Sequence, residues 1–179
     1  MAIFGGSFDP PHRGHQKIVS EAVQTLDIDR LLIVPAYLNP FKQSSLAPPA
    51  IRLEWCHTLF DTMPKVAVSD YEIRQGESTY TSQTVKHFQN EYDVKYLIIG
   101  SDNLKSLTKW HEFEWLNEQV TWVVATRHGS HMNTEMLKKW KRLELDVDIS
   151  STEIRNLKQL DSVDRKIQDS VKSLLKEKQ

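Results

Sequence analysis

Short apolar runs recur along the chain at Met1-Phe4, Leu31-Val34, Val66-Val68, Tyr96-Ile99 and Val120-Ala125, with a weaker one at Leu145-Ile149. Each is brief, partly β-branched and bounded by Gly, Pro or polar residues, the pattern of a strand buried on both faces. Between them lie stretches whose apolar residues return every three or four positions, such as Ile18-Val19-Ala22-Val23-Leu26 and Leu53-Cys56-Leu59-Phe60. That spacing belongs to helices with one apolar stripe. Strand then helix, repeated, predicts an α/β fold: a doubly wound parallel sheet with helices on both faces. Ligands of such sheets sit beyond the carboxyl ends of the strands, so chemistry is expected there.

With 179 residues, 39% of them hydrophobic, the chain has enough apolar matter for one core. Residues 1–179 are read as a single domain in which residues 155–179 form a C-terminal helical segment. Lys plus Arg is 23 and Asp plus Glu is 24, so the net charge of -1 gives no bulk attraction to nucleic acid or anionic membrane. An anionic ligand must therefore be held locally. One cysteine, Cys56, excludes an internal disulfide and a Cys-rich zinc site, and favours a reducing, cytoplasmic location. No apolar run approaches the length of a membrane span, and the N-terminus lacks the pattern of a signal peptide. The breaker-rich stretch Ala36 to Ala50 aside, connections are short; that stretch, with Pro35, Pro40, Pro48 and Pro49 in or beside it, is long enough to be a functional loop or lid.

The first strand runs directly into Gly5-Gly6-Ser7-Phe8-Asp9-Pro10-Pro11-His12-Arg13-Gly14-His15, and an amphipathic helix follows. Paired glycines let the backbone approach a ligand, and a helix N-terminus offers unpaired N–H groups to an anion. His12 and His15, three apart, can share a face and donate to one phosphate; a histidine-rich helix cap or two metal ligands are the other readings. The absence of an obvious third ligand disfavours the metal.

This motif, with His12-Arg13-Gly14-His15 as a His-x-Gly-His signature, resembles the nucleotidyltransferase superfamily that carries it. The longer form with Phe-Asp-Pro is similar to the bacterial nicotinate-nucleotide adenylyltransferases. The resemblance implies a Rossmann-like nucleotidyltransferase fold, with Gly5, Gly6, Ser7, Phe8 and His15 at the ATP phosphates and His12 and His15 in catalysis.

Near the other end, Ile149-Ser150-Ser151-Thr152-Glu153-Ile154-Arg155 reads on its own as a helix start, with Ser150 and Glu153 as a capping box. Arg155, four residues after Ser151, adds a cation to the same face. The segment resembles the family's Ser-Ser-Thr-x-x-Arg motif, which implies that Ile149, Ser150, Ser151 and Arg155 bind the ATP triphosphate. Gly100-Ser101-Asp102 after the strand Tyr96-Ile99 could place a carboxylate on ribose hydroxyls or simply cap the next helix. It is similar to the family's Ile-Gly-x-Asp segment, which assigns Gly100 and Asp102 to the nucleotide. By the same resemblance Trp110 matches the tryptophan that stacks on the pyridine ring, with His111 beside it, while Trp115, Trp122 and Trp140 are left to the core.

Hydroxyls in the stretch from Asp70 to Thr84 read as helix caps or as ligand donors. They resemble the family's Tyr-Thr-x-x-Thr segment, which implies that Tyr80, Thr81 and Thr84 seat the nicotinate carboxylate of the substrate. Arg127 matches a family arginine, though His128 follows it where relatives carry Pro. In the long loop Lys42 keeps the family's basic residue, whereas Asn39 and Phe41 replace its Pro and His. The C-terminal segment Asn156-Gln179 departs from the family ending, and its charges read as a solvated helix face. Together these similarities imply adenylyl transfer from ATP, with Mg²⁺ on the triphosphate, to nicotinate mononucleotide. His12, His15, Lys42 and Arg155 are the expected catalytic groups, and neither nucleic acid nor membrane is an expected partner. Transfer to nicotinamide mononucleotide or phosphopantetheine, and a nucleotide sensor without turnover, are the rival expectations.

Overall fold

The central strands carry apolar side chains on both faces, which forces helices onto both sides of the sheet. In the computed structural model, which describes residues 1–127, 132–145, 151–157 and 160–177, six strands form one parallel sheet. They are β1 (Ala2–Gly6), β2 (Leu31–Pro35), β3 (Val66–Val68), β4 (Tyr96–Gly100), β5 (Thr121–Arg127) and β6 (Trp140–Leu145), in the order β3-β2-β1-β4-β5-β6. This is the doubly wound α/β arrangement expected from the alternation of strand and helix.

Alternate residues of each strand feed two separate cores. Phe4, Ile33, Ile98 and Val123 pack against α1 (Arg13–Thr25), α2 (Pro49–Phe60) and the later helices α6 (Ser151–Leu157) and α7 (Arg165–Glu177). Ile3, Val34, Leu97 and Val124 pack on the opposite face against α4 (Thr81–Gln89) and α5 (Phe113–Gln119). A one-turn helix, α3 (Tyr71–Gln75), ends at Gly76, whose φ of 73° is the left-handed cap that glycine adopts without a Cβ clash.

Two expectations are corrected. The sixth strand lies at Trp140–Leu145 and overlaps the run Leu145-Ile149 only at its first residue. Residues 146–149 lie outside the described set. Trp140 is not in the core, since on this edge strand only Leu143 and Leu145 turn inward while Trp140 is 37% exposed. The C-terminal segment is helical as expected: Ile167 and Val171 of α7 are buried, Trp55 Nε1 donates to Ser170 Oγ at 3.0 Å, and the Lys-rich side faces solvent.

Candidate active site

β1 and β4 lie side by side, and their connections leave in opposite directions. At such a switch point the carboxyl ends of the strands open a crevice. Here it is a cleft of about 620 Å³ whose floor includes Gly5 and Gly6 of β1 and Gly100 of β4.

The two histidines stand where β1 turns into α1. His12 is the N-cap of that helix: its Nδ1 accepts from Gly14 N–H, and His15 Nδ1 accepts from His12 N–H, both at 3.1 Å. Each ring nitrogen that caps the helix must be the unprotonated one, so the ring proton sits on Nε2. Burial drives His12 down to about 4, and burial together with His12 drives His15 well below the ordinary histidine range. Both rings are thus neutral near pH 7. Both rings line the cleft, and Nε2–H is the edge of each that the helix cap leaves uncommitted. Helix cap and ligand donor, alternatives from the sequence, are two edges of the same ring. Phe8, held at φ 47°, packs its ring 4.9 Å from that of His15 and fixes its tilt.

Beside the histidines, Lys42 Nζ donates to Ser7 Oγ at 3.1 Å. Burial and the nearby Arg155 pull its ammonium below the usual lysine range, against Asp9, which raises it. α6 is laid against the first motif: Ser151 Oγ donates to the Pro10 carbonyl at 3.0 Å, and Arg155 donates to the Asp9 carbonyl and, at 3.1 Å, to Thr152 Oγ1. Ser151 and Thr152 line the cleft, with Arg155 one turn further along α6. Its guanidinium ties α6 to the loop after β1. Ile149 and Ser150 lie outside the described residues.

The end of β4 is shaped by close approach. Asp102 lies in the first turn of a short 3-10 helix that begins at Ser101, and a Cβ at Gly100 would sit 2.5 Å from Asp102 Oδ1, so only glycine leaves that carboxylate in place. Asn103 Nδ2 steadies it, donating to Asp102 Oδ1 at 3.2 Å and to the Gly100 carbonyl at 3.1 Å.

The far end of the cleft is aromatic. The rings of Tyr80 and His111 stack at 4.5 Å, and Trp110 meets Trp122 edge-on at 6.3 Å. Thr81 lines this end, but Thr84 does not. Thr84 is 2% exposed and its hydroxyl donates to a carboxylate oxygen of Glu72 at 2.6 Å, which removes it from the cleft wall expected for it. The Arg127 side chain and His128 lie outside the described residues.

Sequence reasoning missed Glu72, Asp9 and Arg52. Glu72 lines the cleft, and burial pushes its carboxyl up to about 7. An acid whose pKa rises on folding keeps its proton better in the folded state, so it lowers stability as pH climbs from about 4.5 to about 7. His12, whose pKa falls on folding, does the reverse between about 4 and 6.5. The two slopes oppose each other in the wild type. Glu72→Gln is expected to uncover a steeper rise of Tm between pH 5 and pH 7, read by thermal unfolding across that range; a slope equal to wild type would contradict the raised carboxyl. The Glu72 contribution is on the order of 3 kcal/mol over the whole shift.

Paired neutral donors at a helix N-terminus, a lysine and a hydroxyl-bearing helix start are chemically suited to a polyphosphate, and the aromatic end offers stacking faces for a planar ring. Among the described residues no group of three or more His, Cys, Asp or Glu side chains could hold a metal ion. The profile of the cytidylyltransferase-like family matches residues 3–157. A Sulfurovum sp. (strain NBC37-1) protein named probable nicotinate-nucleotide adenylyltransferase is 64% identical over 178 residues, covering 99% of this chain and 95% of its own length. The chain belongs to that family of adenylyltransferases. A Nitratiruptor sp. member of the same name is 50% identical over 157 residues, 87% of this chain and 86% of its own. The fold is shared with the Plasmodium falciparum nicotinic acid mononucleotide adenylyltransferase complexed with NaAD, at a TM-score of 0.74 and 21% identity over 96% of this chain and 88% of that one. No described helix is long and apolar enough to cross a membrane.

Proposed function

We propose that this chain, read as one domain, transfers the adenylyl group of ATP to the 5′-phosphate of nicotinate mononucleotide, forming nicotinate adenine dinucleotide and pyrophosphate in NAD biosynthesis. The observation that carries the reading is a single cleft with a phosphate cradle at His12, His15 and Lys42 and an aromatic, hydroxyl-bearing end at Tyr80, Thr81, Trp110 and His111. In the reaction an oxygen of the mononucleotide phosphate bonds to the α-phosphorus of ATP, and the bond from that phosphorus to the β-bridging oxygen breaks. Both reactants are anions already, so the protein needs no side-chain nucleophile. Its work is alignment and charge stabilisation.

The Nε2–H groups of His12 and His15 donate to phosphate oxygens as charge moves toward the leaving pyrophosphate. Because both rings are neutral, their approach does not depend on protonation near pH 7. Lys42 supplies the mobile cation and Ser151 the start of α6. Arg155, tied to the Asp9 carbonyl and Thr152, adds a second cation beside Lys42 for the triphosphate. Gly100 and Asp102 take the nucleotide's sugar side, and Thr81 with backbone N–H groups takes the nicotinate carboxylate. Mg²⁺ carried on the ATP phosphates would offset their charge, and an ion held in that manner would need no protein cage. The buried, lone Cys56 supports a cytoplasmic setting, and the near-neutral charge gives no bulk attraction to nucleic acid or membrane.

Pyrophosphate release measured with each acceptor in turn tests the reading. Nicotinate mononucleotide is expected to exceed nicotinamide mononucleotide in kcat/KM by at least about tenfold, because donors placed on both oxygens of a carboxylate meet the NH2 of the carboxamide, itself a donor, and one of them is left unpaired. Preference for the nicotinamide form or for phosphopantetheine would overturn the acceptor, and no pyrophosphate with any of them would leave a nucleotide sensor.

A further inference from the structure

Arg52 is 1% exposed, on the inner side of α2, and makes no ion pair closer than 4 Å to a described carboxylate. A guanidinium cannot shed its proton to escape burial, so its placement requires compensation. Backbone carbonyls supply it. Nε donates to Ala47 O at 3.1 Å, Nη1 to both Ser7 O and Ala36 O at 2.7 Å, and Nη2 to Tyr37 O at 2.6 Å. These carbonyls come from three places: the turn after β1, the chain leaving β2, and the chain entering α2. The second and third are the two ends of one loop, and Lys42 stands in its arch.

Asp9 completes the junction. Its carboxylate, 3% exposed, accepts from Leu46 N–H at 2.7 Å and Ala47 N–H at 2.9 Å. The cation gathers the carbonyls of the loop's neck and the anion gathers its N–H groups. Above the neck the arch is open to solvent, with Phe41 62% exposed, and its internal ties are the turn bonds from Phe41 N–H and Lys42 N–H to Asn39 at 2.9 and 2.8 Å. The reach of Lys42 across the cleft to Ser7 is therefore set at the neck. Arg52 holds Ser7 by its carbonyl and both ends of the Lys42 loop in one rigid fork.

We propose that Arg52 is a positioning residue for the adenylyl transfer: it touches no substrate but fixes Lys42 and the Ser7 backbone relative to each other at the phosphate end of the cleft. The proposal rests on the function read above for that cleft, yet the loop restraint itself exists whatever the reaction. A misplacement of about 1 Å of a reacting or stabilising group costs on the order of a hundredfold in rate, so the neck is a place where a distant side chain controls turnover.

Two readouts on the full chain test it. In Arg52→Met, which keeps the side-chain length and loses every donor, trypsin is expected to cut after Lys42 about tenfold faster, because cleavage follows local opening of the segment. Cleavage after Lys105 should not change. Under saturating substrates kcat is expected to fall about tenfold to a hundredfold, with KM for nicotinate mononucleotide within about twofold of wild type. Because Arg52 acts through Lys42, adding Lys42→Ala to Arg52→Met should lower kcat no further than Lys42→Ala alone. If Arg52→Met does not fold, Arg52→Lys decides the same questions, with one head group spanning fewer carbonyls. Unchanged cleavage after Lys42, or rate losses that multiply in the double variant, overturn the proposal. Faster cleavage in a protein that makes no pyrophosphate even as wild type leaves the restraint standing and removes the functional reading instead.

Discussion

His15→Ala is expected to lower kcat by at least about tenfold, approaching the roughly 10²–10³ that loss of one preorganised donor costs in comparable sites. The expectation follows from geometry. His15 donates through Nε2 because its Nδ1 is committed to His12 N–H, and Phe8 fixes the ring plane, so no reorganisation precedes the reaction. Alanine removes the donor and the cap together. The lost cap costs about 1 kcal/mol of stability, a shift of about 2–4 °C for a chain of this size, far too little to mimic a large loss of turnover at 25 °C. Pyrophosphate release under saturating ATP and nicotinate mononucleotide, with thermal unfolding measured alongside, separates the two effects. Wild-type turnover in a folded His15→Ala protein would remove this histidine from the chemistry.

The largest expected effect on stability lies across the sheet, at Trp122. This side chain is fully buried, with its ring edge-on to Trp110 and tilted against Phe113, and its Nε1 donates to Asn117 Oδ1 at 2.9 Å. Trp122→Ala leaves Asn117 Oδ1 still accepting from Lys138 N–H, so the loss is chiefly one of packing. Removing a buried tryptophan costs about 3–5 kcal/mol, which for a chain of this length lowers Tm by roughly 6–20 °C. Calorimetry reads it directly, and a fall of less than a few degrees would mean that the cavity collapses far better than a close-packed interior allows. Because Trp110 rests on Trp122, the same variant should weaken the aromatic end of the cleft before it disturbs the phosphate end.

Five of the six strands stood out in the sequence because a strand covered on both faces needs an unbroken apolar run. β6 did not, since this strand buries only one face, unlike the other edge strand β3, which feeds both cores: in Trp140-Lys141-Arg142-Leu143-Glu144-Leu145 two leucines point inward among charges. The helices carried their apolar stripes openly. At the cleft, the glycines, His12 and His15 were legible as a motif after a strand, whereas Asp102 and Thr81 were singled out only by resemblance to the family. What no spacing revealed was the state of the histidines, which depends on the direction of two backbone N–H groups. Thr84 looked identical to Thr81 in sequence and differs only in the helix face it occupies. Asp9 and Arg52 were hidden for a related reason: a charged residue in an amphipathic segment reads as solvated, and only the loop folded over them shows that both are buried.

The contacts that close the phosphate cradle join residues very far apart along the chain. Ser151 reaches Pro10 over 141 positions, Arg155 reaches Asp9 over 146, and Gln16 reaches Asp164 over 148. Arg13 N–H, at the first turn of α1, also donates to the Ser162 carbonyl at 2.9 Å. β1, β2 and β3 are complete within the first 68 residues, and non-local closures of this kind are slow to form. A growing polypeptide therefore possesses half of its sheet well before it possesses a cradle, and its catalytic competence is acquired only when synthesis has carried α6 and the residues after it clear of the ribosome.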